Sequence, residues 1–135
     1  MQTQKRRFRV SEAAALLGVS DDTVRRWAEA GRLELAGSPA TVDGVALADL
    51  AQELAADSAL AAAFPHTRAS ARNRLTGIVT KVTRDGVMAQ VELQAGPFRI
   101  VSLMSREAAD ELGLEPGVLA TASAKATTIV VEVPE

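Results

Sequence analysis

With no cysteine and a single histidine, His66, the chain has no means of building a disulfide, a thiolate metal site or a histidine cluster. What it does offer is guanidinium, ammonium and hydroxyl groups. These are the donors that hold anions, so an inorganic ligand is expected to be an anion rather than a cation. No Ser/His/Asp, Cys/His or paired-carboxylate set stands out, and no Walker-type phosphate loop occurs, so an enzyme is not expected. The cations are unevenly spread. Residues 1–35 hold seven Lys/Arg against five acids, a net of +2. Residues 36–66 hold no Lys/Arg and four acids, a net of −4, and residues 67–135 balance at eight of each. A local basic patch on a chain of net charge −2 fits an electrostatic footprint confined to one face. Aromatic residues make up 3%, too few for a platform on which single-stranded bases stack.

The elements that position those cations change character midway. In the first half, Ser11 before Glu12 and an Ala/Leu run reads as a helix start, and Gly18 as its stop. Ser20 caps a second helix with Asp21 and Asp22 at its positive end, and Val24, Trp27 and Ala28 form one apolar face. On that face Trp27 belongs to the core rather than to a reading surface. Residues 32–44 read as a loop or short hairpin, and Val45–Ala63 as a third helix with Leu47, Leu50 and Leu54 in register. Pro65 closes that helix, and 65–70 reads as a linker in which His66 is solvated.

Two helices separated by Gly18-Val19-Ser20 meet the spacing of a helix-turn-helix, in which the second helix enters a major groove. The run from Val10 to Leu33, with its G-V-S-x-x-T-V-R-R-W-x-x-x-G-x-L pattern, resembles the MerR/excisionase class of winged helices over about the first 55 residues. The resemblance implies that Thr23, Arg25 and Arg26 face double-stranded DNA, with Lys5, Arg6 and Arg7 as an arm along the backbone or a minor groove. It departs from the class at the wing, where 35–44 carry no arginine.

In the second half the apolar residues alternate and β-branched residues dominate. Strands are expected over 75–83, Val87–Gln94, Phe98–Leu103, Leu119–Lys125 and Thr128–Val133, with a turn at Arg84-Asp85-Gly86. Ser105 caps a short helix, Arg106–Leu112. Five strands and one helix suggest a small OB-like barrel. Four ordered motifs over residues 69–133 resemble molbindin, or TOBE, domains. They are Ser70-Ala71-Arg72-Asn73-Arg74-Leu75, Val101-Ser102-Leu103-Met104-Ser105, Glu111 to Gly117, and Ala122 to Val130. The resemblance implies a tetrahedral oxyanion, molybdate or tungstate, held by Ser70, Arg72, Ser102, Ser105, Lys125 and the backbone at Ala126. It also implies that different subunits supply these groups, so that the chain assembles with itself, as a dimer up to a hexamer.

The expectation is therefore a two-domain α+β chain. An all-α winged helix-turn-helix over 1–66 precedes a five-stranded OB-like barrel over 67–135 that binds the oxyanion and oligomerises. The function expected is oxyanion-responsive transcription regulation. Storage of the oxyanion, or a DNA-binding protein whose barrel only oligomerises, are the alternatives. No run of eighteen apolar residues and no cleavable leader occur, so a cytoplasmic location without membrane contact is expected.

Overall fold

The computed structural model describes residues 6–60 and 68–135. The chain divides into two compact units, Met1–Pro65 and His66–Glu135.

The first unit contains β1 (Arg7–Arg9), α1 (Val10–Leu17), α2 (Asp21–Glu29), β2 (Leu35–Ala36), β3 (Thr41–Asp43) and α3 (Gly44–Ala56). Its helix ends follow local chemistry. Gly18 takes φ of 71° at the end of α1, a backbone region that favours glycine. Ser20 Oγ accepts from the Thr23 amide at 3.1 Å to open α2. Asp43 does the same for Ala46 at the start of α3. The core is Val10, Ala13, Ala14, Val24, Leu33, Val42, Leu47 and Leu50, with Trp27 packed against it.

Three expectations for this unit are corrected. It is not all-α: β1, β3 and β2 form an antiparallel sheet in that order, with Phe8 opposite Val42 and Leu35 also opposite Val42. The basic arm is therefore part of the fold from Arg6 onward. The Arg6 carbonyl accepts from the Gly44 amide at 2.7 Å, and Arg7 is a strand residue. Helix α1 begins at Val10, one residue before Ser11. Its start is secured by Glu12, whose carboxylate accepts from the Arg9 amide at 3.0 Å. Helix α3 ends at Ala56 rather than Ala63, with Asp57 leaving helical geometry; 61–63 lie outside the described residues.

The second unit contains β4 (Asn73–Arg84), β5 (Met88–Ala95), β6 (Phe98–Ser105), α4 (Arg106–Glu111) and β7 (Leu119–Ala124). The strands form a curled antiparallel sheet, a half-barrel, in the order β6-β5-β4-β7. Its buried residues are Val79, Val91, Leu93 and Leu114. Arg84 fastens α4 and the turn after it to the sheet. Its guanidinium donates to Asp110 at 3.0 Å, to the Leu114 carbonyl at 3.0 Å and to Glu115 at 3.1 Å. Ser105 caps α4 as expected, accepting from the Ala108 amide at 3.1 Å.

The fifth strand expected at Thr128–Val133 is not formed. Ala126–Thr128 is a single 3-10 turn, and the residues after it belong to no strand. Val130 and Val131 are 89% and 83% exposed. β-branched residues suit a pleated surface but do not create one. A strand needs an edge to pair with, and the 3-10 turn carries the chain out of line with β7.

The β4–β5 turn closes through a side chain. Asp85 Oδ1 accepts from the amides of Val87 at 2.8 Å and Met88 at 2.7 Å. The Met88 and Val87 hydrogen bonds hold its carboxyl below the ordinary 3.8, with a smaller pull from Arg106, while burial acts weakly the other way. A carboxylate held low in the folded state stabilises the fold above its unfolded pKa, and that contribution fades as pH falls through the folded value. Asp85→Ala should therefore unfold at a lower temperature than the parent chain at neutral pH, and the two melting curves should converge in acid below the ordinary aspartate range. Calorimetry across pH checks this; an undiminished gap in acid would show that the charge of Asp85 does not matter.

Candidate functional site

The paired strands end one residue short of both Arg72 and Lys125. Strand β4 pairs with β7 from Asn73 opposite Ala124 to Ile78 opposite Leu119. Arg72 and Lys125 each stand one residue beyond the Asn73–Ala124 rung, so both occupy the next position outward. Side chains directly opposite in an antiparallel pair share a face. Two rungs further in the same direction of alternation, Arg74 faces Ser123, and then Thr76 faces Thr121. The last pair is in contact, Oγ1 to Oγ1, at 2.9 Å. The outer face of β4 and β7 is thus a ladder of Arg74 and three hydroxyls, with Arg72 and Lys125 one step beyond its end. The opposite face carries Leu75, Ala120 and Ala122 inward.

The arginines elsewhere on the sheet and on α4 have counter-charges. Arg84 pairs with Asp110 and Glu115, Arg99 with Glu92, and Arg106 with Asp110 at 3.9 Å. Among the described residues Arg72, Arg74 and Lys125 have no carboxylate partner, and all three are exposed. Unpaired, adjacent cations flanked by hydroxyls repel one another, and an anion relieves that repulsion. Arg74, Thr76, Thr121 and Ser123 are absent from the set expected on resemblance. The signal for them was in the sequence: the period of two from Arg72 along a strand puts 74 and 76 on its face.

The remaining expected residues are placed differently. Ser70 precedes β4 and is exposed. Ala126 opens the 3-10 turn that follows Lys125, and the Lys125 carbonyl accepts from Thr128 Oγ1 at 2.8 Å. Ser102 sits on β6 opposite Val91 and lines a cavity of about 480 Å³ whose far wall is β7, from Ala120 to Ala124. Ser105 is opposite Met88, at the end of β4 remote from Arg72, and its hydroxyl is occupied as the α4 cap. Within one copy of the chain Arg72 and Lys125 thus flank the same end of the β4–β7 pair, and Ser105 lies elsewhere.

In the first unit, Arg25 and Arg26 are exposed on α2 and Thr23 is half-buried. Thr23 Oγ1 lies 3.0 Å from Ser20 Oγ and accepts from Arg26 Nη2 at 3.0 Å. Arg25 lies 3.9 Å from Asp22. Arg7 donates to the Thr41 hydroxyl at 2.9 Å and carbonyl at 3.2 Å, which ties it to the sheet. Arg6 is exposed. Lys5, expected to join the arm, lies outside the described residues. Trp27 packs on the core, as expected, with the Arg32 guanidinium 5.3 Å from its ring centre. No helix among the described residues is long and apolar enough to cross a membrane.

Residues 7–53 match a helix-turn-helix domain family, and residues 69–131 match the TOBE domain. The chain is 42% identical over 76 residues to molybdenum-pterin-binding protein MopA of Rhodobacter capsulatus, a match that covers 56% of this chain and 29% of MopA. It is 38% identical over 63 residues to molybdenum-pterin-binding protein 2 of Clostridium pasteurianum, covering 46% of this chain and 93% of that protein. Among solved structures, the cytoplasmic molybdate-binding protein ModG with molybdate bound is 42% identical with a TM-score of 0.48. That likeness spans 50% of this chain and 49% of ModG.

Proposed function

Since the chain belongs to the TOBE-domain family, with a helix-turn-helix domain ahead of that unit, we propose that it is a DNA-binding regulator whose C-terminal unit takes up molybdate or tungstate between copies of itself. The observation that carries this reading is the cluster of Arg72, Arg74 and Lys125 beside hydroxyls, cations without carboxylate partners among the described residues. A tetrahedral dianion asks for many donors and local positive charge, and that face supplies both.

Assembly is part of the reading. Strands β6 and β7 each have one unpaired edge and flank the open cavity. Further along the chain after β7, Val130, Val131 and Val133 are exposed. Unpaired strand edges and contiguous exposed apolar residues are sites of association. A second copy would cover this surface and carry hydroxyls such as Ser102 toward the cations of the first.

Regulation then follows from linkage. If the assembled, anion-loaded form holds its helix-turn-helix units in a different arrangement, anion and DNA binding shift each other's affinity by the same factor. One feature favours storage instead. The β2–β3 hairpin, in the position of the wing, carries no Lys/Arg. Titrating the full chain with molybdate, tungstate and sulfate by calorimetry, with light-scattering mass on the same samples, tests the anion claim. Heat with molybdate or tungstate at one site or more per pair of chains is expected. DNA affinity measured with and without molybdate then separates regulation from storage, because storage leaves it unchanged.

A further inference from the structure

We propose that the two neighbouring arginines of α2 divide the work of DNA recognition, with Arg26 reading a guanine edge and Arg25 following the phosphate backbone. The inference rests on the DNA-binding reading of the first unit and assigns roles within it.

Arg26 is held by a relay that starts in the helix cap. Ser20 Oγ accepts from the Thr23 amide at 3.1 Å and lies 3.0 Å from Thr23 Oγ1, which in turn accepts from Arg26 Nη2 at 3.0 Å. The Thr23 hydroxyl is thus engaged on both sides within the helix. Its role is to position Arg26 rather than to touch a base. A guanidinium has five N–H donors, and the relay uses one, so a two-pronged face remains for the O6 and N7 acceptors of guanine. A long side chain fixed before binding loses less conformational freedom when it docks, and a fixed direction is what discrimination between bases requires.

Arg25 is in the opposite situation. Its nearest partner, Asp22, is 3.9 Å away, and both side chains are well exposed at 57% and 91%. That distance is too long for a hydrogen bond, and an exposed pair of this kind is weak. Arg25 lines an open groove of about 970 Å³ beside the β2–β3 hairpin, together with Arg9 and Arg32. Asp21, Glu29 and Glu34 line the same groove, so its charge is balanced overall. A side chain without a fixed direction in such a groove suits a phosphate, which accepts a cation from many angles and carries no sequence information.

Lysine substitution separates the two roles, because lysine keeps the charge but loses the fork. Both positions are exposed, so neither change threatens the fold. The full chain is used to select from a pool of randomised DNA duplexes, with and without molybdate; the variants are then put through the same selection and compared on the selected duplex, its single-pair changes and a scrambled one. Arg26→Lys should lose about tenfold in discrimination at one G·C pair and keep it elsewhere. Thr23→Val should relax the same base pair, and Thr23→Ser should restore it. Arg25→Lys should leave the selected sequence unchanged. Arg25→Ala should weaken selected and scrambled duplexes alike and lower the salt slope by about one. The division of labour is overturned if Arg25→Lys relaxes the same pair as Arg26→Lys, or if Thr23→Val selects the parental sequence with parental discrimination. If the parent chain enriches no sequence under either condition, the DNA-reading role itself fails, an outcome recognisable because it appears before any variant is made.

Discussion

Alanine at Arg72 or Lys125 should weaken molybdate binding by about tenfold to a hundredfold in each case, while leaving the folded unit intact. The magnitude is that of a hydrogen bond to a charged group, about 1.5–3 kcal/mol. The fold should survive because both side chains are exposed and neither has a carboxylate partner to strand among the described residues. Removing one of two like charges that repel each other should, if anything, steady the unliganded sheet. The pair should also be coupled. With one cation gone, the anion re-seats on the other, so the double variant should not lose the sum of the two single losses. Arg72→Lys distinguishes charge from geometry. It keeps the cation but not the fork, and an intermediate affinity is expected. Calorimetric titration reads all four variants. Parental affinity in both alanine variants would remove the ladder from the site.

A larger structural effect is expected from Gly77→Ala. A Cβ built at Gly77 would stand 2.3 Å from the Gln94 carbonyl oxygen, 2.8 Å from its carbon and 3.0 Å from the Ala95 Cα. All three are backbone atoms of β5, so no side chain can swing aside. Strand β5 would have to move away from β4, close to where the register already shifts between Val79 and Lys81. Forcing atoms into a packed site typically costs about 1–3 kcal/mol, and a backbone clash of this depth belongs at the upper end. In a unit this small, that is a melting temperature lower by roughly 10–20 °C. Glycine is needed here for close approach rather than for an unusual φ, so serine should be as damaging as alanine. Because Gly77 adjoins Thr76 on the ladder strand, anion affinity should fall with stability. Thermal unfolding of Gly77→Ala at the parental temperature would contradict the account of this strand crossing.

The contrast between Gly77 and Ser20 shows where sequence reasoning reached and where it stopped. Ser20, Gly18 and Ser105 act on residues within four positions of themselves, so their caps were legible from neighbouring letters. Strand β1 was not. Arg7–Arg9 is a strand only because Thr41–Asp43, 34 residues away, pairs with it, and nothing local to a run of arginines announces that partner. The reverse error occurred at Thr128–Val133, where β-branched letters announced a strand, but after the 3-10 turn these residues pair with neither free edge of the sheet. The same logic governs the site. Resemblance pointed to Arg72 and Lys125, and the β4–β7 register ends one residue short of both, while the serine at 105 serves the α4 cap that its neighbours announced. Arg74 was legible from the period of two along its strand, whereas its pairing with Ser123 became visible only once the rung between them was known.

The account stands most directly on one crystallographic measurement, the anomalous scattering of tungsten in crystals of the full chain grown with tungstate. The predicted result is a strong peak on the outer face of β4 and β7, within hydrogen-bond reach of Arg72 and Lys125 of one copy and of hydroxyl or amide donors from a second. A peak bound wholly within one chain and remote from that ladder, or no ordered tungsten at all, would contradict it.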